Sequence, residues 1–245
     1  LHTWSLAVEE QYYLLFPIFL MVTWRLGIKW VLVFLSLVFL ISLCAAQWGA
    51  YNKPSATFYL LPMRGWELLV GVFVAFYLKY NEYIKSQSIN QVLSMIGLGL
   101  VTYSIFAFDK STPFPSLYAL IPTIGTGLLI LSAVRGTLVH KFLSFAPLVA
   151  IGLISYSSYL WHQPILAFAR HRSLLEMPDI YLIALCLLSL LMAYISWRWI
   201  EKPFRDPNRA SSKFILQFTL VGIVAFGSIG FALGTNEVVS KSPTI

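Results

Sequence analysis

The stretch LHTWSLAVEEQYYLLFP, residues 1–17, sets two acidic residues, Glu9 and Glu10, just inside an apolar run that continues to Trp24. A carboxylate in or beside a bilayer is costly unless it faces protein or water, so it marks a functional site by default. Composition says that the bilayer is the right solvent. Hydrophobic residues make up 58% of the 245, and charged residues only 11%. Mean hydropathy is +0.76. A soluble domain carries about 25% charged residues, so this chain lacks the polar groups to cover a globule of its size. The expected fold is all-α: a polytopic integral membrane bundle of about eight transmembrane helices.

Eight apolar segments support that count: roughly 5–24, 30–48, 60–79, 92–108, 117–134, 146–169, 180–200 and 214–234. Each must satisfy its own backbone hydrogen bonds in lipid, which a helix does. A barrel is excluded, because the runs are apolar on every face and show no alternation of period two. Orientation follows from Lys and Arg in alternate connections. One set holds Arg25, Lys29, Lys79, Lys85, Arg135, Lys141, Arg198, Lys202, Arg205, Arg209 and Lys213. The other holds Lys53, Arg64, Lys110, Arg170, Arg172 and Lys241. The richer set is expected in the cytoplasm, which leaves residue 1 and the C-terminus both outside. The net charge of +7 is dispersed between apolar runs and forms no basic face, which argues against nucleic acid. Cys44 and Cys186 lie in apolar runs and read as buried, inert thiols. The chain opens on Leu1 without a start methionine or a signal segment. It is therefore read as a piece beginning inside a larger protein. The transmembrane domain is expected over 1–234, with 235–245 an outward tail or linker.

Four stretches carry residues suited to chemistry. In the first, Ser5, Glu9 and Tyr13 stack on one helical face at i, i+4 and i+8, while Glu10 lies about 100° away. One carboxylate can then be structural while the other faces a cavity; hydration of both at the headgroups, inside an aromatic belt of Trp4, Tyr12 and Tyr13, fits as well. In the second, LLPMRGWELLVG at 60–71, Arg64 and Glu67 are spaced i, i+3 and Gly71 continues their face. The pair either fixes helix packing or presents an arginine to an anionic or hydroxyl-rich ligand. In the third, GLISYSSYLWHQP at 152–164, Ser155, Ser158, Tyr159 and His162 share one stripe. Pro164 removes the donor that would bond the Leu160 carbonyl, so a kink or opening is expected there. His162 can carry a proton near neutral pH; plain interhelical hydrogen bonding is the alternative. The fourth, WRWIEKPFR at 197–205, reads as a headgroup anchor built on Glu201, Lys202 and Arg205, or as a basic mouth for a phosphorylated ligand. IGTG at 124–127 reads as a small-residue packing stripe rather than a phosphate loop. No zinc spacing or nucleotide loop is present.

These stretches, in this order, resemble the membrane-bound acyltransferase-3 family of bacterial O-acyltransferases. The match rests on His-x-Trp-Ser-Leu-x-Val-Glu-Glu-Gln-x-Tyr at 2–13, Arg-Gly-x-Glu-Leu-x-x-Gly at 64–71, Ser-Tyr-x-x-Tyr-Leu-x-His-x-Pro at 155–164 and Glu-Lys-Pro-x-Arg at 201–205. The resemblance implies a multi-pass enzyme of the bacterial inner membrane, with the last helix, 214–234, similar to the family's connector to a further extracytoplasmic domain. Its donor substrate is acyl-CoA, usually acetyl-CoA, with no bound cofactor and no metal. The acceptor is a hydroxyl of an envelope glycan: O-antigen of lipopolysaccharide, capsule, exopolysaccharide or peptidoglycan. It also implies a histidine and an arginine pair in helices upstream of Leu1, so the piece alone is expected to be inactive. The matching site residues are His2, Trp4, Ser5, Glu9, Glu10, Gln11, Arg64, Glu67 and His162.

Together these readings give an expected mechanism. Glu9 or Glu10 orients or polarises the upstream histidine or the acceptor hydroxyl, and Glu10→Gln is expected to abolish glycan acetylation. Arg64, held by Glu67, binds acceptor or stabilises charge. His162 and Tyr159 line the acyl channel, and His2, Trp4, Ser5 and Gln11 contribute to substrate binding. Polar residues inside spans and a proline-broken helix suit a transporter or flippase of a glycan or lipid precursor equally well.

Overall fold

The computed structural model describes residues 4–81, 84–109, 111–172, 178–206 and 211–240. Among them the regular structure is entirely helical: α1 (Trp4–Thr23), α2 (Ile28–Asn52), α3 (Pro54–Tyr59), α4 (Leu61–Tyr80), α5 (Gln87–Ala107), α6 (Leu120–Ser132), α7 (Leu138–Leu143), α8 (Ala146–Arg172), α9 (Asp179–Ser196), α10 (Lys202–Arg205) and α11 (Ser212–Ser240). Each of the eight apolar runs falls on a helix. Among the described residues, six stretches are long and apolar enough to cross a membrane: Ser5–Leu26, Ile28–Asn52, Leu61–Tyr80, Gln87–Ala107, Asp179–Arg205 and Lys213–Phe231. Leu117–Ser132 is apolar but shorter. At 27 residues α8 has the length, yet it carries the Ser, Tyr, His and Gln of the third stretch and falls outside that set. The expected count of eight is therefore approximate.

The chain divides into two compact units, residues 1–149 and 150–245. In the first, α4 packs on α2, α6 and α1, and α5 packs along α6. Val31, Leu35 and Leu69 form one buried cluster, and Ala46, Trp66 and Ala119 another. Pro62 stands in the first turn of α4, where a missing N–H costs nothing. The Ser42 hydroxyl of α2 donates to the Pro62 carbonyl at 2.7 Å and accepts from the Trp66 N–H at 3.1 Å. It thus sits between the two groups that an uninterrupted turn would join, and pins the start of α4 to α2. The α5–α6 seam is closer still. A Cβ placed on Gly97 would lie 2.8 Å from the Gly125 carbonyl oxygen, and one on Gly125 2.9 Å from that of Gly97. Residues 124–127 are the small-residue packing stripe that their composition implies, since glycine lets two helix backbones approach.

In the second unit α9 ends in a π-helical turn, Trp197–Glu201, followed by α10. Lys202 N–H bonds the Trp197 carbonyl five residues back. Pro203, which has no N–H to give, follows directly, and the widened turn accommodates it.

One expectation changes. Cys44 and Cys186 are exposed, not buried, and form no disulfide. An apolar run in a membrane protein can face lipid as readily as protein, so apolar surroundings do not imply burial. Helix α8 includes Pro164; the proline does not end it, since in lipid one lost bond is cheaper than exposing a whole turn. Helix α11 runs to Ser240; residues 241–245 lie outside the described set.

Candidate functional site

Two hollows flank the seam between α1 and α4. Glu9, Tyr12 and Tyr13 of α1 face Leu68, Gly71, Val72 and Ala75 of α4 across a hollow of about 260 Å3. A larger one of about 340 Å3 is lined by α1, α2 and α4, including Phe16, Leu35, Ser42 and Gly65. Tyr12 borders both. Its ring stacks on Phe16 with centroids 4.8 Å apart. Its hydroxyl is buried and makes no hydrogen bond among the described residues. Such a donor calls for an explanation, and a site that receives a ligand supplies one.

Arg64 stands one turn above Leu68 on the same stripe of α4. Its Nη2 donates to Glu67 Oε2 at 2.8 Å, and its Nε to Oε1 at 3.4 Å. The side chains are only 12% and 20% exposed. The guanidinium also lies over Phe114 at 4.9 Å and Phe58 at 5.9 Å from the ring centroids. The ion pair and the two π faces lower the cost of a cation so little hydrated, and orient it rigidly.

The second unit holds a separate polar cluster. Ser157 is buried, and its hydroxyl donates to Glu201 Oε2 at 2.7 Å. Glu201 Oε1 lies 3.0 Å from Arg205 Nη2; the carboxylate is 10% exposed and the guanidinium 71%. The π-helical turn carries Glu201 to this position. Arg205 and Lys202 are exposed, whereas Glu201 is mostly shielded and has as its partner a serine 44 positions away. On α8, the contact between His162 Nδ1 and the Ser158 carbonyl oxygen is 3.1 Å. A carbonyl only accepts, so Nδ1 is the donor in this contact. Tyr159 lies beside it, ring centroids 5.9 Å apart.

Of the residues singled out from sequence, Glu9 faces the smaller hollow while Glu10 and Gln11 are exposed. The 100° separation thus distinguishes the two carboxylates. Arg64 and Glu67 form their pair, and Ser5 is half-buried. Tyr159 and His162 meet in the second unit; Ser155 is exposed and bonds only its own helix, at the Gly152 carbonyl. His2 lies outside the described residues, as does the side chain of Trp4. Sequence reasoning passed over Ser157, Phe114 and the Tyr12 hydroxyl. Tyr12 had a signal, its place one turn from Glu9; Ser157 and Phe114 had none.

A helical membrane bundle with a carboxylate-lined hollow and a sequestered arginine is the class that fold and site define. Residues 1–198 match the model of the acyltransferase domain family, acyltransferase family 3. The chain belongs to that family. It is similar to the peptidoglycan O-acetyltransferase OatA of Listeria monocytogenes, 31% identical over 97% of this chain and 42% of the relative. It is also similar to the O-acetyltransferase OatA of Staphylococcus aureus, 34% identical over 87% of this chain and 37% of the relative. The chain thus spans about two-fifths of the length of these curated relatives. No solved structure matches it.

Proposed function

We propose that the intact protein transfers an acetyl group from cytoplasmic acetyl-CoA to a hydroxyl of peptidoglycan, at the bacterial cytoplasmic membrane. Membership in the acyltransferase-3 family and similarity to two O-acetyltransferases support the reaction class. The observation that carries it to particular residues is the α1–α4 seam, where the Glu9-lined hollow continues the stripe of α4 that holds the Arg64–Glu67 pair. The bias of Lys and Arg toward alternate connections supports an outward position for Arg64.

In this reaction the glycan oxygen attacks the thioester carbonyl, the new C–O bond forms as the C–S bond breaks, and the hydroxyl proton leaves to a base. A positioned base contributes about 10²–10⁴-fold. Glu9 orients the acceptor hydroxyl or the group that takes its proton. Arg64, fixed by Glu67, offsets negative charge developing on the former carbonyl oxygen, and Tyr12 donates a hydrogen bond beside it.

Membranes containing the intact protein, supplied with radiolabelled acetyl-CoA, are expected to place label on peptidoglycan as a base-labile ester. Absence of label, with export of an unmodified lipid-linked glycan instead, identifies a transporter and overturns the proposal.

A further inference from the structure

A third hollow, of about 280 Å3, opens where the end of α5 meets the start of α6. It lies away from the α1–α4 seam. Tyr103, Phe108 and Tyr118 supply aromatic walls; Ser111, Thr112 and Pro113 supply the rim. Phe108 meets both tyrosine rings edge-on, at 6.2 Å and 6.0 Å. Tyr103 is 57% and Tyr118 47% exposed. Neither tyrosine hydroxyl is hydrogen-bonded among the described residues.

The rim is held by Asp109. Its Oδ1 accepts from the Ser111 N–H at 2.9 Å and hydroxyl at 2.6 Å, and from the Thr112 N–H at 3.2 Å. The same connection reaches the seam site: Phe114, two residues past Thr112, lies over the Arg64 guanidinium, and Gln47 Oε1 accepts from the Leu117 N–H at 3.0 Å. A ligand in the hollow is thus held by a segment fastened to the arginine of the proposed active site.

The lining restricts the occupant. Among the described lining residues none is Lys or Arg; aromatic rings and hydroxyls make up the wall. Aromatic faces are electron-rich and receive the weakly positive C–H face of a sugar ring, while hydroxyls serve its polar edge. The volume falls just below the range for ligand sites, about 300–1,000 Å3, which suits one sugar residue rather than an extended strand. We infer that the Tyr103–Tyr118 hollow is an acceptor subsite that binds one sugar of the glycan next to the residue being acylated. This rests on the proposed acetyl transfer to a glycan and adds to it where the acceptor is held.

The test uses the intact protein in membranes and, as acceptor, soluble disaccharide oligomers released from peptidoglycan. Tyr118→Ala is expected to raise the acceptor KM about tenfold, the loss of one stacked ring, and to leave the acetyl-CoA KM where it was. Tyr118→Trp, which keeps a ring, is expected to restore the acceptor KM. Tyr103→Ala, on a separate helix, guards against a local folding fault and is expected to shift the same constant in the same direction. An acceptor KM unchanged in both alanine variants overturns the subsite while leaving acetyl transfer intact. Acceptor and donor constants that move together also overturn it. Saturation-transfer NMR with the same oligomers reads binding without turnover. Loss of that signal in Tyr118→Ala supports the subsite even in a protein that transfers nothing, and equal signals in wild type and variant reject it.

Discussion

The α5–α6 seam and the α1–α4 seam are built from similar apolar helices, yet one is closed and the other open. At the closed seam Gly97 and Gly125 bring two backbones together, and even a methyl group would collide with a carbonyl. At the open seam Gly71 lines the hollow beside Glu9, and a Cβ added there meets nothing within 4 Å. The same residue type therefore does opposite things. Two facing glycines remove space, whereas one glycine opposite a tyrosine and a carboxylate leaves it. A closed seam contributes packing between helices, the main source of association where lipid removes the hydrophobic drive. An open seam gives up that packing and keeps room for a ligand.

The comparison is broken most severely at the charges of the open seam. Arg64→Ala is expected to lower acetyl transfer by about 10²-fold or more, the scale for removing one donor to a developing oxyanion. It also leaves Glu67 with little water and no cation. Arg64→Lys keeps the charge but not the two-point contact with Glu67, and most of the loss is expected to remain. Labelled acetyl incorporation, normalised to the amount of protein in the membrane, checks both.

Next come the two carboxylates. Sequence alone puts the test on Glu10; the hollow moves it to Glu9. Glu9→Gln is expected to reduce transfer by about 10²-fold or more, and Glu10→Gln by clearly less. The reverse order of rates would return the role to Glu10 and detach the hollow from the chemistry.

Glycine substitution sharpens the contrast. Gly125→Leu is expected to lower stability by about 1–3 kcal/mol through overpacking, read as a lower melting temperature in detergent. Gly71→Leu is expected to leave the melting temperature nearly unchanged while filling the hollow and reducing transfer. A Gly71→Leu protein that is fully active would show that substrate does not use this space.

The smallest effect belongs to Asp109, which lies on the loop beyond α5. Hydrogen bonds from Ser111, then Thr112, hold its carboxyl below the usual carboxylate range. Its contribution is therefore present above that range and is lost as pH falls through the depressed value. The group is fully exposed, so the expected change is a slight fall in melting temperature on acidification below about pH 4, absent in Asp109→Asn.

Much of this was legible before any coordinates. Each apolar run becomes a helix because an unpaired backbone cannot be left in lipid. Arg64 and Glu67 pair because i and i+3 adjoin on any helix. The spacing of Glu9 and Glu10 showed that they point apart, but not which one meets a cavity. Partners such as Ser157 with Glu201 or Phe114 with Arg64 left no trace in periodicity. Periodicity reports the faces of one helix and is silent on which neighbour meets them.

The sequence by itself determined an all-helical membrane protein, the positions of its segments and the residue types available for chemistry. Only the tertiary structure decided which apolar faces meet protein and which are left exposed, which seam closes and which stays open, and that Glu201 bonds a buried serine. Lipid and protein interiors are alike in polarity, so hydrophobicity records that a residue avoids water. It does not record what the residue touches instead.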